Sequence, residues 1–286
     1  MIEHWYRLID IVLPFGWAHY TFMKNALLAV ILVAPVFAVL GTMVISSRMV
    51  FFTEVLGHSA LAGIAIGVLC GFSDPSWSML GMAVFLAVLV NVIKSTTRAS
   101  MDTVLGVFMA FMVALGVAIL SRQGGFAKYT KYLIGDILTV TPGEIVGISV
   151  IFILVLTYWY AVGNALVLSS VNGALARSRG IRTFLVETSF TLLLAVVVMM
   201  SIRLVGILII NSLLVLPAAA SRNVTRSLRA YTAVAAGISL VCGVAGLVAS
   251  YFWDTATGAT IVLFAVACYV VSVGGKVLAG RGSARE

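Results

Sequence analysis

Glu54 and His58 stand four residues apart in the stretch Phe51-Phe52-Thr53-Glu54-Val55-Leu56-Gly57-His58-Ser59-Ala60. On a helix that spacing puts both side chains on one face, about 6 Å apart along the axis. A carboxylate and a neutral imidazole form a borderline donor set suited to Zn²⁺, Mn²⁺ or Fe²⁺. The same groups could instead neutralise each other through a hydrogen bond, make an interhelical polar contact or relay protons. The flanks are apolar, and ionisable residues inside a long apolar run point to function by default.

Other candidate groups are fewer and weaker. Glu187, Arg203 and Asn211 lie in or beside apolar runs. Glu187 is within reach of Arg182, and Arg203 can snorkel from a turn. With Glu54 and His58 supplying two ligands, the rest of a coordination shell is open to water, Asn211, Glu187 or a second copy of the chain. Asp102 follows Ser100 at a helix start, where a carboxylate meets the positive end of the dipole. Gly63 and Gly67 let a neighbouring backbone come close, and Gly106, Ala110 and Ala114 form a similar stripe. Met109 and Met112 read as core filler, and Cys70, Cys242 and Cys268 as small buried hydrophobes. Neither HExxH nor GxSxG occurs, so no common hydrolase signature is present. Gly274-Gly275-Lys276-Val277 lacks the upstream glycine and the following hydroxyl of a phosphate loop, which leaves no site for ATP hydrolysis.

The elements that hold these residues follow from composition. Of the 286 residues, 62% are hydrophobic and 10% charged, where a soluble domain carries roughly a quarter charged residues. A soluble enzyme, a disordered chain and a secreted disulfide scaffold are excluded. Crossing a bilayer takes about 20 apolar residues in a helix, and runs near that length cover residues 22–45, 52–71, 77–94, 102–121, 144–168, 183–202, 204–221, 231–251 and 258–279. Lipid cannot satisfy free backbone groups, so the runs must be helical. The expected fold is an all-α, polytopic integral membrane protein with eight or nine transmembrane helices, a single domain over 1–286. The nearly continuous apolar run from Phe184 to Ala220 is read as two helices with a tight turn around Ser201-Ile202-Arg203, one of which could be re-entrant.

Basic residues set the orientation. Arg48, Lys94/Arg98, Arg177/Arg179/Arg182, Arg222/Arg226/Arg229 and Lys276/Arg281/Arg285 fall on one side if nine helices alternate, and that side is cytoplasmic by the positive-inside rule. The same loops account for the net charge of +8 without a nucleic-acid partner. Arg122, Lys128 and Lys131 depart from the rule, so the loop 123–142 is expected to be partly buried or re-entrant. Residues 1–21 carry Glu3, Asp10 and Pro14 and do not read as a removable signal peptide. They form an external interfacial segment anchored by Trp5 and Tyr6, and 280–286 form a cytoplasmic tail.

With these residues in place a family likeness is visible. Residues 51–67 (FFTEVLGHSALAGIAIG) resemble the second-helix signature of the permeases of bacterial zinc, manganese and iron ABC importers. Residues 101–120 (MDTVLGVFMAFMVALGVAIL), 132–142 (YLIGDILTVTP) and 204–222 (LVGILIINSLLVLPAAASR) follow in the family's order, and Thr257-Gly258 fits before the last span. The resemblance implies a homodimer in the cell (inner) membrane, two cytoplasmic ATP-binding subunits and an external metal-binding protein. It implies a transported divalent metal, zinc, manganese or iron, and no permanently bound cofactor. The family's acid and histidine four apart map onto Glu54 and His58, with Glu where many relatives have Asp. Its short cytoplasmic coupling helix maps onto 172–181, where Leu175, Ala176, Arg177, Arg179 and Gly180 would contact the ATPase, with Asn172 and Ala174 where carboxylates are common. The expected function is the permease subunit of an ATP-driven metal importer, itself no enzyme. The alternative is an ion- or proton-coupled secondary transporter using Glu54/His58 as a proton relay; a neighbouring gene for a phosphate-loop ATPase would separate the two.

Reporter fusions test the orientation. Fusions after Ala18 and after Arg281 should score on opposite sides of the membrane, external and internal; same-side results would require an even number of spans.

Overall fold

The structure, a computed structural model, describes Trp5, Tyr6, Ile9 and residues 20–72, 74–96, 100–122, 135 and 137–283. Arg98, Lys128, Lys131, most of the loop 123–142, most of 1–21 and the end of the tail lie outside them, as does the side chain of Arg203. Among the described residues there are ten α-helices and no strand. They are α1 (Thr21–Ser46), α2 (Val50–Leu69), α3 (Ser76–Thr96), α4 (Met101–Arg122), α5 (Pro142–Val171), α6 (Gly173–Ser178), α7 (Thr183–Val205), α8 (Ile207–Val224), α9 (Leu228–Trp253) and α10 (Thr257–Ser283), with a 3-10 turn at Ile137–Thr139. Eight of the ten are long and apolar enough to cross a membrane. α8 has 18 residues, or about 27 Å of rise, and carries Asn211, Ser212 and Pro217. The chain is therefore an all-α multi-pass membrane protein.

The expected turn at 201–203 lies elsewhere. α7 continues through these residues to Val205, and Gly206, at φ +88°, separates it from α8. Ser201-Ile202-Arg203 contains nothing that requires a left-handed backbone, whereas glycine adopts one without steric cost.

The chain forms two compact units, residues 1–45, 136–154 and 212–286, and residues 46–135 and 155–211. In the first, α9 and α10 pack as a hairpin. A Cβ on Gly246 would lie 2.5 Å from the Cα of Ile261, so the backbones meet where no side chain intervenes. The hydroxyls of Ser250 and Thr257 lie 2.9 Å apart across the turn, and Cys242 Sγ lies 3.5 Å from Cys268 Sγ. Trp5 Nε1 donates to the Lys24 carbonyl (3.1 Å) and Tyr6 Oη to Asn25 Oδ1 (2.7 Å). Both expected interfacial anchors thus spend their polar ends on the start of α1, and Asn25 Nδ2 donates on to the Val140 carbonyl at 3.3 Å.

In the second unit α2 packs against α3 and α4. Both glycines singled out in the sequence lie at a close approach. A Cβ on Gly63 would stand 2.6 Å from Met79 Cα, and one on Gly67 2.1 Å from Ser78 Oγ. On the α4 side Gly116 faces the backbone of Leu61, which an added Cβ would meet at 3.0 Å. Gly63 follows His58 by five residues, about 140° around the helix, so the glycine face turns the Glu54/His58 face away from α3. α7 is laced to α3 by Asn91 Nδ2 donating to Thr191 Oγ1 at 2.6 Å.

Replacing Gly63 with leucine should therefore strip the α2–α3 contact, at a cost of at least the ~1–3 kcal/mol typical of overpacking. Gly81→Ala, where nothing lies within 4 Å of an added Cβ, should leave stability unchanged or raised. Thermal unfolding of both variants in detergent checks the contrast.

Candidate metal centre

The Glu54/His58 pair is built on the first three turns of α2. Its polar neighbours are satisfied locally: Thr53 Oγ1 donates to the Val50 carbonyl and Ser59 Oγ to the Leu56 carbonyl, each at 2.7 Å. Glu54 and His58 have no such backbone acceptor and reach outward together. His58 Nε2 lies 3.6 Å from Glu54 Oε1, with side chains 22% and 44% exposed. That separation is too long for a hydrogen bond. The two groups stand at ion-pair distance without a direct hydrogen bond.

The second carboxylate oxygen faces another helix. Asn211, one turn into α8, donates from Nδ2 to Glu54 Oε2 at 3.0 Å. Gly206 sets this up, because ending α7 there starts a new helix whose first turns carry Asn211. Its Oδ1 and His58 Nδ1 are both buried and lack a hydrogen-bond partner among the described residues. A buried polar atom left this way costs about 1–3 kcal/mol. The cluster is an acid flanked by an imidazole and an amide, with two orphaned polar atoms around it. Among the described residues no third His, Cys, Asp or Glu joins to form a larger metal-holding group.

The remaining candidates sit elsewhere. Glu187 does not take Arg182; its Oε2 pairs with Lys94 Nζ at 2.5 Å. Spatial proximity decides this, since the end of α3 runs alongside the start of α7. Arg48, Lys94, Ser169, Ser170 and Glu187 line one cleft of 210 Å³. The ends of α3 and α5 and the start of α7 therefore meet at one end of this unit, as alternation of spans requires. Asp102 lies in the first turn of α4, where Ser100 Oγ accepts from Thr103 N at 3.2 Å.

The segment 172–181 contains one short helix, α6. Asn172 caps it, its Oδ1 accepting from Leu175 N at 3.0 Å, and Gly180 at φ +78° ends it. Leu175, Arg177, Arg179 and Gly180 are exposed, while Ala176 is fully buried. Arg179 and Ile181 also border an open groove of 720 Å³ along Asn164, Leu168 and Val171 of α5. Sequence reasoning named Asn211 only as one of several possible ligands. Its contact with Glu54 joins residues 157 positions apart, and no local spacing announces it.

Fold and site together define a multi-pass membrane protein that carries an acid–imidazole–amide cluster built from α2 and α8. The chain belongs to the ABC 3 transport family, whose model matches residues 19–276. Such chains are the permease subunits of ABC transporters of the bacterial inner membrane and are not themselves enzymes. The chain is 30% identical over 249 residues to the high-affinity zinc uptake system membrane protein ZnuB of Haemophilus influenzae, covering 87% of this chain and 95% of that one. It is 26% identical over 259 residues to the manganese transport system membrane protein MntC of Halalkalibacterium halodurans, covering 88% and 87%. The fold is shared with a solved chain of PsaBC from Streptococcus pneumoniae in complex with Fab, with a TM-score of 0.78 at 22% identity over 95% of each chain.

Proposed function

We propose that this chain is the permease subunit through which an ATP-driven importer passes a divalent transition metal ion into the cell, with Glu54 and His58 binding the ion in transit. The observation that carries the reading is the 3.6 Å between His58 Nε2 and Glu54 Oε1. Two ligand atoms about 2.1 Å from one ion stand about 3.0 Å apart at right angles and about 3.4 Å apart at the tetrahedral angle, so a small side-chain shift brings this pair to either. The pair thus stands at ion-pair distance without a direct hydrogen bond, a spacing from which both groups can reach one cation.

Depth supports the same reading. His58 stands eight residues beyond the start of α2 at Val50, about 12 Å of helix, well inside a hydrocarbon core about 30 Å thick. Glu54 stands one turn nearer the helix start, about 6 Å into α2; a carboxylate costs up to roughly 3 kcal/mol on insertion scales at a span's centre, and a dication offsets whatever part of that cost applies here. Release needs the opposite property. A closed set of protein ligands holds a metal as structure, while an incomplete one lets it leave. The relatives' printed substrates, zinc for one and manganese for another, set the substrate class.

The remaining parts follow the family. The permease works as one domain, pairs with a second copy, receives its ion from an external metal-binding protein and draws on cytoplasmic ATP-binding subunits. In this arrangement α6 is the cytoplasmic coupling helix. Leu175, Arg177, Arg179 and Gly180 meet the ATPase, and Ala176 seats the helix against its own chain.

Both His58→Ala and Glu54→Ala should lower metal uptake by at least an order of magnitude in membranes that hold normal amounts of folded permease. Glu54→Asp should keep partial uptake, because charge is preserved and only reach changes; Glu54→Gln should lose more. Normal transport by His58→Ala would reduce the pair to a packing contact, and uptake driven by a proton gradient without any ATPase would replace the reading with a proton relay.

Charge reversal of Arg177 and Arg179 together should abolish transport and loosen ATPase co-purification while the permease stays inserted and monodisperse. Undiminished transport and co-purification in that double variant would remove α6 from the coupling role.

A further inference from the structure

The Glu54 carboxylate is held asymmetrically. One oxygen faces His58 Nε2 without bonding to it, and the other accepts a hydrogen bond from Asn211 Nδ2 at 3.0 Å. On the far side of the amide, Asn211 Oδ1 is buried with no partner among the described residues. The amide therefore offers its partly positive end to the acid and leaves its own acceptor stranded. A cation beside the carboxylate would face the partly positive NH₂ end of the amide, while the one amide atom able to bind it pointed away.

We infer that Asn211 is the third ligand of the transported ion and the residue that tilts the site toward manganese over zinc. The inference rests on Glu54 and His58 being the metal pair. The Asn211 NH₂ group holds the Glu54 carboxylate in place through its hydrogen bond to Oε2. When the dication arrives, a half-turn of the amide about its last side-chain bond exchanges Nδ2 and Oδ1, which occupy nearly the same volume. Oδ1 then lies where Nδ2 was, about 3.0 Å from Glu54 Oε2. Two oxygens each about 2.1 Å from one ion and at right angles stand about 3.0 Å apart, the cis edge of an octahedron.

The preference follows from the atoms supplied. Glu54 gives one or two carboxylate oxygens and Asn211 one amide oxygen, against a single imidazole nitrogen from His58. Carboxylate and carbonyl oxygens suit manganese, while zinc favours nitrogen and sulfur in a four-coordinate shell. Glu54 is 44% exposed, so water has access to complete a higher coordination number. Glu187 is paired with Lys94, and no third His, Cys, Asp or Glu completes a zinc-like shell among the described residues.

The test uses the assembled importer, with its ATPase and binding protein, in cells loaded separately with radioactive manganese and radioactive zinc. Asn211→Ala and Asn211→Leu should each raise KM for manganese about tenfold or more, since loss of even a residue that only supports a metal ligand costs about 10–100-fold in affinity, with a much smaller change for zinc, so that the manganese-to-zinc ratio falls. Asn211→Asp keeps an oxygen at the same reach and should restore the ratio. It also guards against misfolding of the smaller and apolar variants, being nearly isosteric. An unchanged ratio in Asn211→Ala and Asn211→Leu, or an equal loss of both metals, would overturn the inference, as would an Asn211→Asp variant that behaves like alanine. His58→Ala separates the two levels of the argument. If it abolishes uptake while the Asn211 variants leave the ratio intact, the metal pair stands and the role of Asn211 falls. If His58→Ala transports normally, the pair itself falls.

Discussion

Everything in this molecule depends on one constraint: in a hydrocarbon environment a polar group must find its partner inside the protein. For the backbone the solution is the helix, and the described residues form helices almost without exception. For most polar side chains the solution is equally local. Thr42, Thr53, Ser59 and Ser250 return their hydroxyl protons to carbonyls three residues back. Against that background a group that is not satisfied stands out physically. The orphaned Nδ1 of His58 and Oδ1 of Asn211 lie around the same carboxylate, and the proposed ion is what the cluster lacks.

A transport site also has to be aimed, and here the small residues of α2 matter more than the polar ones. Gly63 and Gly67 bring α3 against the backbone of α2, and Gly116 does the same from α4. These contacts have no torsional slack, because there is no side chain to repack. Fixing the helix from those directions fixes its rotation, and the rotation determines that Glu54 and His58 look away from α3. Packing in a bilayer gains little from apolar burial, so close backbone approach is the main source of such rigidity.

The charged residues at the end of the second unit follow a different logic. Arg48, Lys94 and Glu187 share a cleft at the ends of their helices, where water and headgroups reduce the cost of charge. Lys94 and Glu187 neutralise each other there, so Glu187 is not available as a ligand deeper in the spans. In the proposed reading this leaves the ion with few strong protein ligands, which favours passage over capture.

What the sequence alone determined is whatever depends on short spacing. Apolar runs of about 20 residues fix the helices, because each must span the same thickness. Four-residue spacing fixes that Glu54 and His58 share a face, and that Gly63 and Gly67 do too, because the helix repeats every 3.6 residues. Tertiary structure decided what depends on which helices become neighbours. It moved the α7–α8 break to Gly206, where the backbone turns left-handed. It gave Glu187 to Lys94 and not to Arg182, tied Trp5 and Tyr6 to the start of α1, and set Asn211 against Glu54 across 157 residues of chain. Each of these is a meeting of distant segments, and helix periodicity carries no information about which faces will meet.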